Sequence, residues 1–173
     1  MNLHVKPAAV LAAAILLAGA TGAAAAEAKG KSASIEGVWK TTDVVITGAN
    51  PLTNHSPQES LTIFSHGHYA AVSNQGDKPR TASAPLATPG KPTDAEKLAR
   101  YEEWAPIGAQ AGTYALKGGK LTRTPIVAKN VGAVTAGAFE SDAKLTGDTL
   151  VLTTKAAPGQ PARVQTITLT RVK

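Results

Sequence analysis

The sequence predicts an all-β domain: an eight-stranded antiparallel up-and-down barrel with one short helix between its third and fourth strands. Three observations predict it. Strand-like segments alternate apolar and polar residues, glycine-containing turns join most of them, and one segment has helical spacing. Alternation with a period of two is typical of antiparallel sheet with one buried face. Eight strands joined mostly to their sequence neighbours close most economically into a barrel, because closure leaves no exposed edge.

The first 26 residues have the three-part pattern of a secretory signal peptide. Lys6 and the α-amino group are positively charged, the apolar stretch AAVLAAAILLAGA follows, and small residues precede a plausible cut after Ala26. The apolar stretch is shorter than the roughly 20 residues that a spanning helix needs. We therefore expect an exported protein, periplasmic or secreted, with no transmembrane segment after signal removal. Residues 27–34 would be a flexible lead-in and 35–173 the barrel domain.

The composition excludes several classes of function. The sequence has no cysteine, which excludes thiolate metal sites and cysteine nucleophiles. Without Lys6, the 18 basic residues become 17 against 12 acidic ones, and they are scattered along the chain. Nucleic-acid readers usually concentrate positive charge on one face, so we expect no nucleic-acid partner.

The first strand is predicted within IEGVWKTTDVVITG, where alternation puts Trp39, Thr41, Asp43 and Val45 on one side. QESLTIF and HYAAVSN are the second and third strands. The remaining five are AGTYALK, KLTRTPIVA, AGAFESDAKL, DTLVLTTK and RVQTITLTRV. The connections KGGK and TGD are tight hairpin signals, because glycine accepts positive φ at little cost.

One segment interrupts the series of hairpins. Residues 75–92 form a long loop rich in Pro, Gly, Ala and Thr, and TDAEKLARYEEW follows with a capping-box spacing from Thr93 to Glu96. Helical spacing places Leu98, Tyr101 and Trp104 on one side. This helix is either a lid over a pocket or a pad on one end of the barrel.

The stretch LTIFSHGHYAAV contains His66 and His68, which would share one side of a continuous strand and could then share a metal. The apolar alternation changes at Gly67, however, which favours a hairpin turn with Gly67 at positive φ. No third ligand has a recognisable spacing, so we predict no metal site and no cofactor. His68 then opens the next strand and is a candidate ligand contact.

The order of these pieces resembles the lipocalin-like domain family of small bacterial exported proteins. IEGVWK resembles the G-x-W opening strand, IFSHGHYAAV the family's hairpin, AGTYALKGGKLTRTPIVAKN its G-T-Y strand and turn, and LTGDTLVLT its late hairpin. The resemblance covers nearly all of 35–172 in the right order. It implies the barrel architecture and an interior that commonly holds a small ligand.

The resemblance also implies how one end of the barrel closes. Lipocalin barrels commonly place an arginine from near the chain end over the tryptophan of G-x-W. Arg171 fits by position, and an arginine over a tryptophan is a favourable cation–π pair. Gly37, Trp39 and Arg171 are therefore expected to be structural closure residues.

An eight-stranded barrel is either filled by its own side chains or wide enough for one small ligand. The first hypothesis is that the protein binds a small, largely apolar molecule. The candidate lining comprises Tyr69, Tyr114 and Phe139, with His68 and Arg123 as polar anchors and Tyr101 and Trp104 under a lid. Each has ordinary core packing as its alternative.

Two other functions remain open from the sequence. A barrel enzyme of isomerase, cyclase or hydrolase type would need an inward acid or base, for which Asp43 and His68 are the candidates. A strand bulge would turn Asp43 outward instead. A filled-barrel envelope protein with a structural role is the third. The sequence does not indicate an oligomeric state.

Overall fold

The computed structural model describes residues 34–173, which fold into a closed antiparallel sheet. The predicted signal peptide, and all of the predicted lead-in except Ser34, lie outside the described residues. The elements in chain order are β1 (Gly37–Gly48), β2 (Leu52–Asn54), β3 (Leu61–Ser65), β4 (His68–Asn74), α1 (Asp94–Trp104), β5 (Ile107–Lys117), β6 (Lys120–Ala128), α2 (Val131–Thr135), β7 (Phe139–Thr146), β8 (Thr149–Lys155) and β9 (Arg163–Arg171).

The barrel consists of eight strands, β1 and β3 to β9, and each pairs antiparallel with its neighbour. The pairing of β1 with β9 closes the ring over nearly the whole length of both strands. The short strand β2 adds to β1 at Val44–Ile46. The sequence does not predict β2, so the predicted position of the helix between the third and fourth strands is wrong: α1 lies between β4 and β5.

The histidine stretch forms the predicted hairpin. Ser65 pairs with His68, and the two residues between them, His66 and Gly67, have φ of 47° and 75°. Positive φ at both central residues is the geometry of the tightest hairpin turns. His66 therefore lies in the turn and His68 begins β4, so the two histidines do not lie on one continuous strand.

A β-bulge in β1 changes which side chains face the interior. Thr41 pairs with Leu169, whereas Asp43 pairs with Thr168, so Thr42 is an extra residue in β1. The predicted alternation holds through Thr41 and is wrong beyond it, because an extra residue exchanges the two faces. Val44 and Ile46 now line the interior.

The core fills one end of the barrel. Trp39, Phe64, Leu121, Leu150 and Leu169 are essentially inaccessible to solvent and pack together. The indole Nε1 of Trp39 donates a hydrogen bond to the carbonyl oxygen of Ile35 at 2.7 Å, so its buried polar atom is satisfied.

Arg171 covers this end of the core. Its guanidinium carbon lies 4.2 Å from the centre of the Trp39 ring. Nη1 donates to the carbonyl oxygen of Glu36, and Nη2 donates to that of Ser34 at 2.9 Å. Asp148 lies 3.6 Å from Nε. These contacts connect the last strand to the residues that precede β1.

Gly37 leaves the space that Arg171 occupies. A Cβ at Gly37 would lie 2.6 Å from Nη1 of Arg171, and its φ of 129° is a conformation that side-chain-bearing residues rarely adopt. The backbone conformation therefore favours glycine at this position, and a side chain here would also displace the guanidinium of Arg171.

Helix α1 has the predicted capping box: Glu96 N donates to Thr93 Oγ1, and Thr93 N donates to a carboxylate oxygen of Glu96. None of its residues is buried. Carboxylates of α1 instead hold the preceding loop, since Glu103 accepts from the backbone and hydroxyl of Ser83, and Glu96 accepts from Ala87 N. Within 34–173, no helix is long and apolar enough to cross a membrane.

We expect Gly37→Ala to lower the free energy of unfolding more than Gly67→Ala. A non-glycine residue at positive φ costs about 1–3 kcal/mol, and Gly67 is a matched control because a Cβ there meets nothing within 4 Å. Only Gly37→Ala also displaces Arg171. Urea denaturation of both variants measures the difference, and equal losses would contradict the proposed role of the Arg171 contact.

Candidate functional site

The other end of the barrel encloses a cavity of about 630 Å³. Leu152 and Leu169 belong to the core and also line the cavity, so the core forms its floor. Ile46 and Ile167 are among the apolar residues of the walls. The volume lies within the roughly 300–1,000 Å³ that is typical of small-molecule sites.

The cavity opens where the wall beside β1 is split. Only Gly37–Lys40 of β1 pairs with β3, because β3 begins at Leu61. The second half of β1 pairs with β2. Above Lys40 the wall is therefore made by β2 and the loop that follows it. Leu52 on β2 is the cross-strand partner of Ile46, lines the cavity and is about half exposed, so this side is accessible to solvent.

Arg123 is the charged residue at the inner part of the cavity. It projects from β6, is 8% exposed and lines the cavity. Its guanidinium carbon lies 4.5 Å from the centre of the Phe139 ring and 5.9 Å from that of Tyr69. The two aromatic rings hold the cation by cation–π attraction and limit its movement.

A short chain of hydroxyls supports the same guanidinium. Nη2 of Arg123 donates to Ser141 Oγ at 3.3 Å, and Ser141 Oγ lies 2.7 Å from Thr154 Oγ1. Thr154 also lines the cavity. Neutral hydroxyls fix the position of the guanidinium without neutralising its charge.

No carboxylate within 34–173 pairs with Arg123, and its buried Nε has no hydrogen-bond partner. The buried hydroxyl of Tyr69 also has none. Burial lowers the pKa of Arg123 to about 10 and raises the pKa of Tyr69. At neutral pH the site therefore combines a charged guanidinium and a protonated phenol, both with unused donors.

The remaining charge on the cavity has the same sign. Arg163, the first residue of β9, lines the cavity and is exposed. Among the described residues that line the cavity there is no Asp or Glu. The amides of Gln110 and Gln165 supply neutral polar groups. The cavity is thus positively charged and otherwise mixed in polarity.

The structure brings three of the candidate residues together. Arg123 and Phe139 line the cavity, and Tyr69 is buried beside Arg123. Tyr114 does not line the cavity: it packs edge-on against Phe64 with ring centres 5.0 Å apart.

The other candidates lie outside the cavity. His68 is exposed at the hairpin, with Nδ1 3.1 Å from the carbonyl oxygen of His66. Trp104 is 54% exposed beneath Arg80, and Tyr101 is 69% exposed. Tyr101 lines a separate groove of about 740 Å³ that shares Ala71, Ser73, Gln75 and Gln110 with the cavity.

Asp43 and His68 do not form a pair. Because of the bulge, Asp43 is absent from the cavity lining, and its Oδ1 lies 2.6 Å from Nδ1 of exposed His55. Within the described part of the chain, no group of three or more His, Asp or Glu is placed to hold a metal ion.

Sequence reasoning missed Val44, Ile46, Thr154 and Gln165 as lining residues. The bulge that turns Val44 and Ile46 inward has no signal in the sequence. Thr154 and Gln165 occupy cross-strand partner positions on β8 and β9, so a correct register for this pair of strands could have found both.

The closed ring and its interior define the class of this molecule: an up-and-down β-barrel with a cavity accessible to small molecules, which is the architecture implied by the resemblance to lipocalin-like domains. No protein-family model matches the chain, and no curated protein matches it.

The solved structures that are similar to the chain include two from Bacteroides. A lipocalin-like protein from Bacteroides uniformis has a TM-score of 0.44 at 13% identity, over 79% of this chain and 97% of that one. An uncharacterized protein from Bacteroides eggerthii has a TM-score of 0.43 at 11% identity, over 80% and 100% of the two chains.

We expect Arg123→Met to raise the free energy of unfolding of the unliganded protein by about 1–3 kcal/mol, because it removes a buried charge that has no carboxylate partner and retains the volume of the side chain. The gain should be equal at pH 6 and pH 9. Below a folded-state pKa of about 10 the guanidinium is charged in both the folded and the unfolded states, so its burial cost is constant.

Urea denaturation at both pH values measures this gain. Arg163→Met is the matched control, since that arginine is exposed and its removal should change stability by less than about 0.5 kcal/mol. Destabilisation by Arg123→Met would mean that the aromatic contacts outweigh the cost of burial.

Proposed function

We propose that this protein is exported and binds a small molecule inside the barrel. The observation that carries the proposal is the cavity of about 630 Å³ above the core floor, which a filled structural barrel would not have. A lining of both apolar and polar side chains suits a ligand with a largely apolar body and a few polar groups.

The accessibility of the cavity also favours binding. The split wall between β2 and β4 gives a small molecule a route to the interior without opening the closed ring. Arg123 and Phe139 are the proposed ligand contacts, with Tyr69 behind them. The groove lined by Tyr101 of α1 adjoins the cavity. A helix that covers the cavity would act at this groove.

Binding is favoured over catalysis by the position of the candidate acid and base. Asp43 is bound to His55 and His68 lies at the turn, so neither is available to a molecule in the cavity. General acid–base catalysis needs the group within hydrogen-bond reach of the reacting atom.

We predict that Ala71→Phe abolishes or weakens at least tenfold the binding of the neutral fluorescent probe N-phenyl-1-naphthylamine, because the ring would occupy the cavity that Ala71 lines. Ala70→Phe is the matched control, since its side chain lies on the exposed face of the same strand. Fluorescence titration measures both affinities. No probe binding by the wild type, or equal binding by both variants, would contradict the function.

Export is a separate prediction, supported by the N-terminal pattern. Expressed with its full sequence in a bacterial host, the protein should be recovered from outside the cytoplasm. Its mass should be that of a chain beginning at Glu27. Intact-mass spectrometry of the envelope fraction measures this, and a full-length product retained in the cytoplasm would contradict export.

A further inference from the structure

Granting the binding function proposed above, on which this inference rests, we propose that the ligand is an organic acid whose carboxylate binds to the guanidinium of Arg123 at the inner part of the cavity. The polarity of the ligand and its orientation, head group inward, both follow from the position of this one buried cation.

The first argument is the missing counter-charge. A buried charge is normally paired, because burial without a partner costs several kcal/mol. Arg123 is only 8% exposed, and no carboxylate within 34–173 pairs with it. Its described interactions are with two aromatic rings and the Ser141 hydroxyl. A carboxylate in the cavity would supply the anion that the described residues do not.

The second argument is the geometry of unused donors. Nε of Arg123 and the hydroxyl of Tyr69 are buried donors without partners, and the guanidinium carbon lies 5.9 Å from the centre of the Tyr69 ring. A guanidinium presents parallel N–H groups that match the two oxygens of a carboxylate. Nη2 donates one hydrogen bond to Ser141 Oγ and Nε has no partner, so the guanidinium keeps N–H donors that a carboxylate could accept from.

The third argument is the charge of the cavity as a whole. Its lining includes Arg163 near the opening as well as Arg123, with no acidic residue among the described lining positions. Two positive charges and no negative one attract an anion and disfavour a cation. Apolar groups on Ile46, Ile167 and Leu152 provide contacts for the remainder of the ligand.

The test compares decanoate with its uncharged analogue methyl decanoate, by displacement of N-phenyl-1-naphthylamine at pH 7. Wild-type protein should bind decanoate at least tenfold more tightly. Arg123→Met should reduce the affinity for decanoate about 10- to 100-fold, the range for a lost charge-assisted hydrogen bond, and should weaken the binding of methyl decanoate and the probe by a clearly smaller factor. Arg163→Met, which removes the exposed charge near the opening, should reduce the affinity for decanoate by a smaller factor than Arg123→Met does.

The outcomes separate this inference from the function on which it rests. If the wild type binds the probe but does not prefer decanoate, or if Arg123→Met weakens both decyl ligands equally, the inference is wrong and the binding function stands. If the wild type binds neither the probe nor either decyl ligand, the binding function itself is wrong. The wild-type comparison needs no variant, and Arg123→Gln provides a second neutral side chain should Arg123→Met fail to fold.

Discussion

The structure depends on the way in which β1 closes the ring. This strand pairs with β9 along one edge and with both β3 and β2 along the other, so every other strand is placed relative to it. Closure leaves the barrel without a long free edge, which a sheet of this many strands would otherwise expose. The chain has no cysteine, so the hydrogen-bonded ring and the core hold the domain together.

The distribution of side-chain volume along the barrel separates the core from the cavity. At the end covered by Arg171, the inward positions carry Trp39, Phe64 and several leucines, which fill the cross-section. From the level of Leu169 onward, several inward positions carry small side chains, among them Thr41, Thr62 and Ala71, and these line the cavity. The bulge at Thr42 lies at this transition, and it turns Val44 and Ile46 into the widened part.

The sequence predicted the barrel because its signals are local. Alternation, glycine turns and the Thr93–Glu96 capping box each depend on residues a few positions apart, and all appear in the structure. The strand β2 was missed because three residues with no clear alternation owe their conformation to pairing with β1.

The site was harder to predict because it depends on relations between strands. Arg123 and Phe139 meet across one ladder and Ser141 and Thr154 across the next, and no local pattern specifies these pairs. Asp43 was predicted to face inward, and a single extra residue in β1 makes that prediction wrong, since one position of slip exchanges the two faces of a strand. Tyr101 and Trp104 have the predicted helical spacing, but spacing alone does not determine whether a helix covers an opening or lies beside it.

Arg123 connects the stability of the domain to the proposed binding function. If folding were the only requirement, a leucine or methionine would suit this position better, because an unpaired buried guanidinium opposes folding. Ser141, Phe139 and Tyr69 reduce that cost by contact but do not remove the charge. A residue that destabilises the empty barrel, and is held at one position by three neighbours, is typical of a binding group arranged before its ligand arrives. An anion that binds only the folded barrel would then offset the cost and stabilise the domain by mass action.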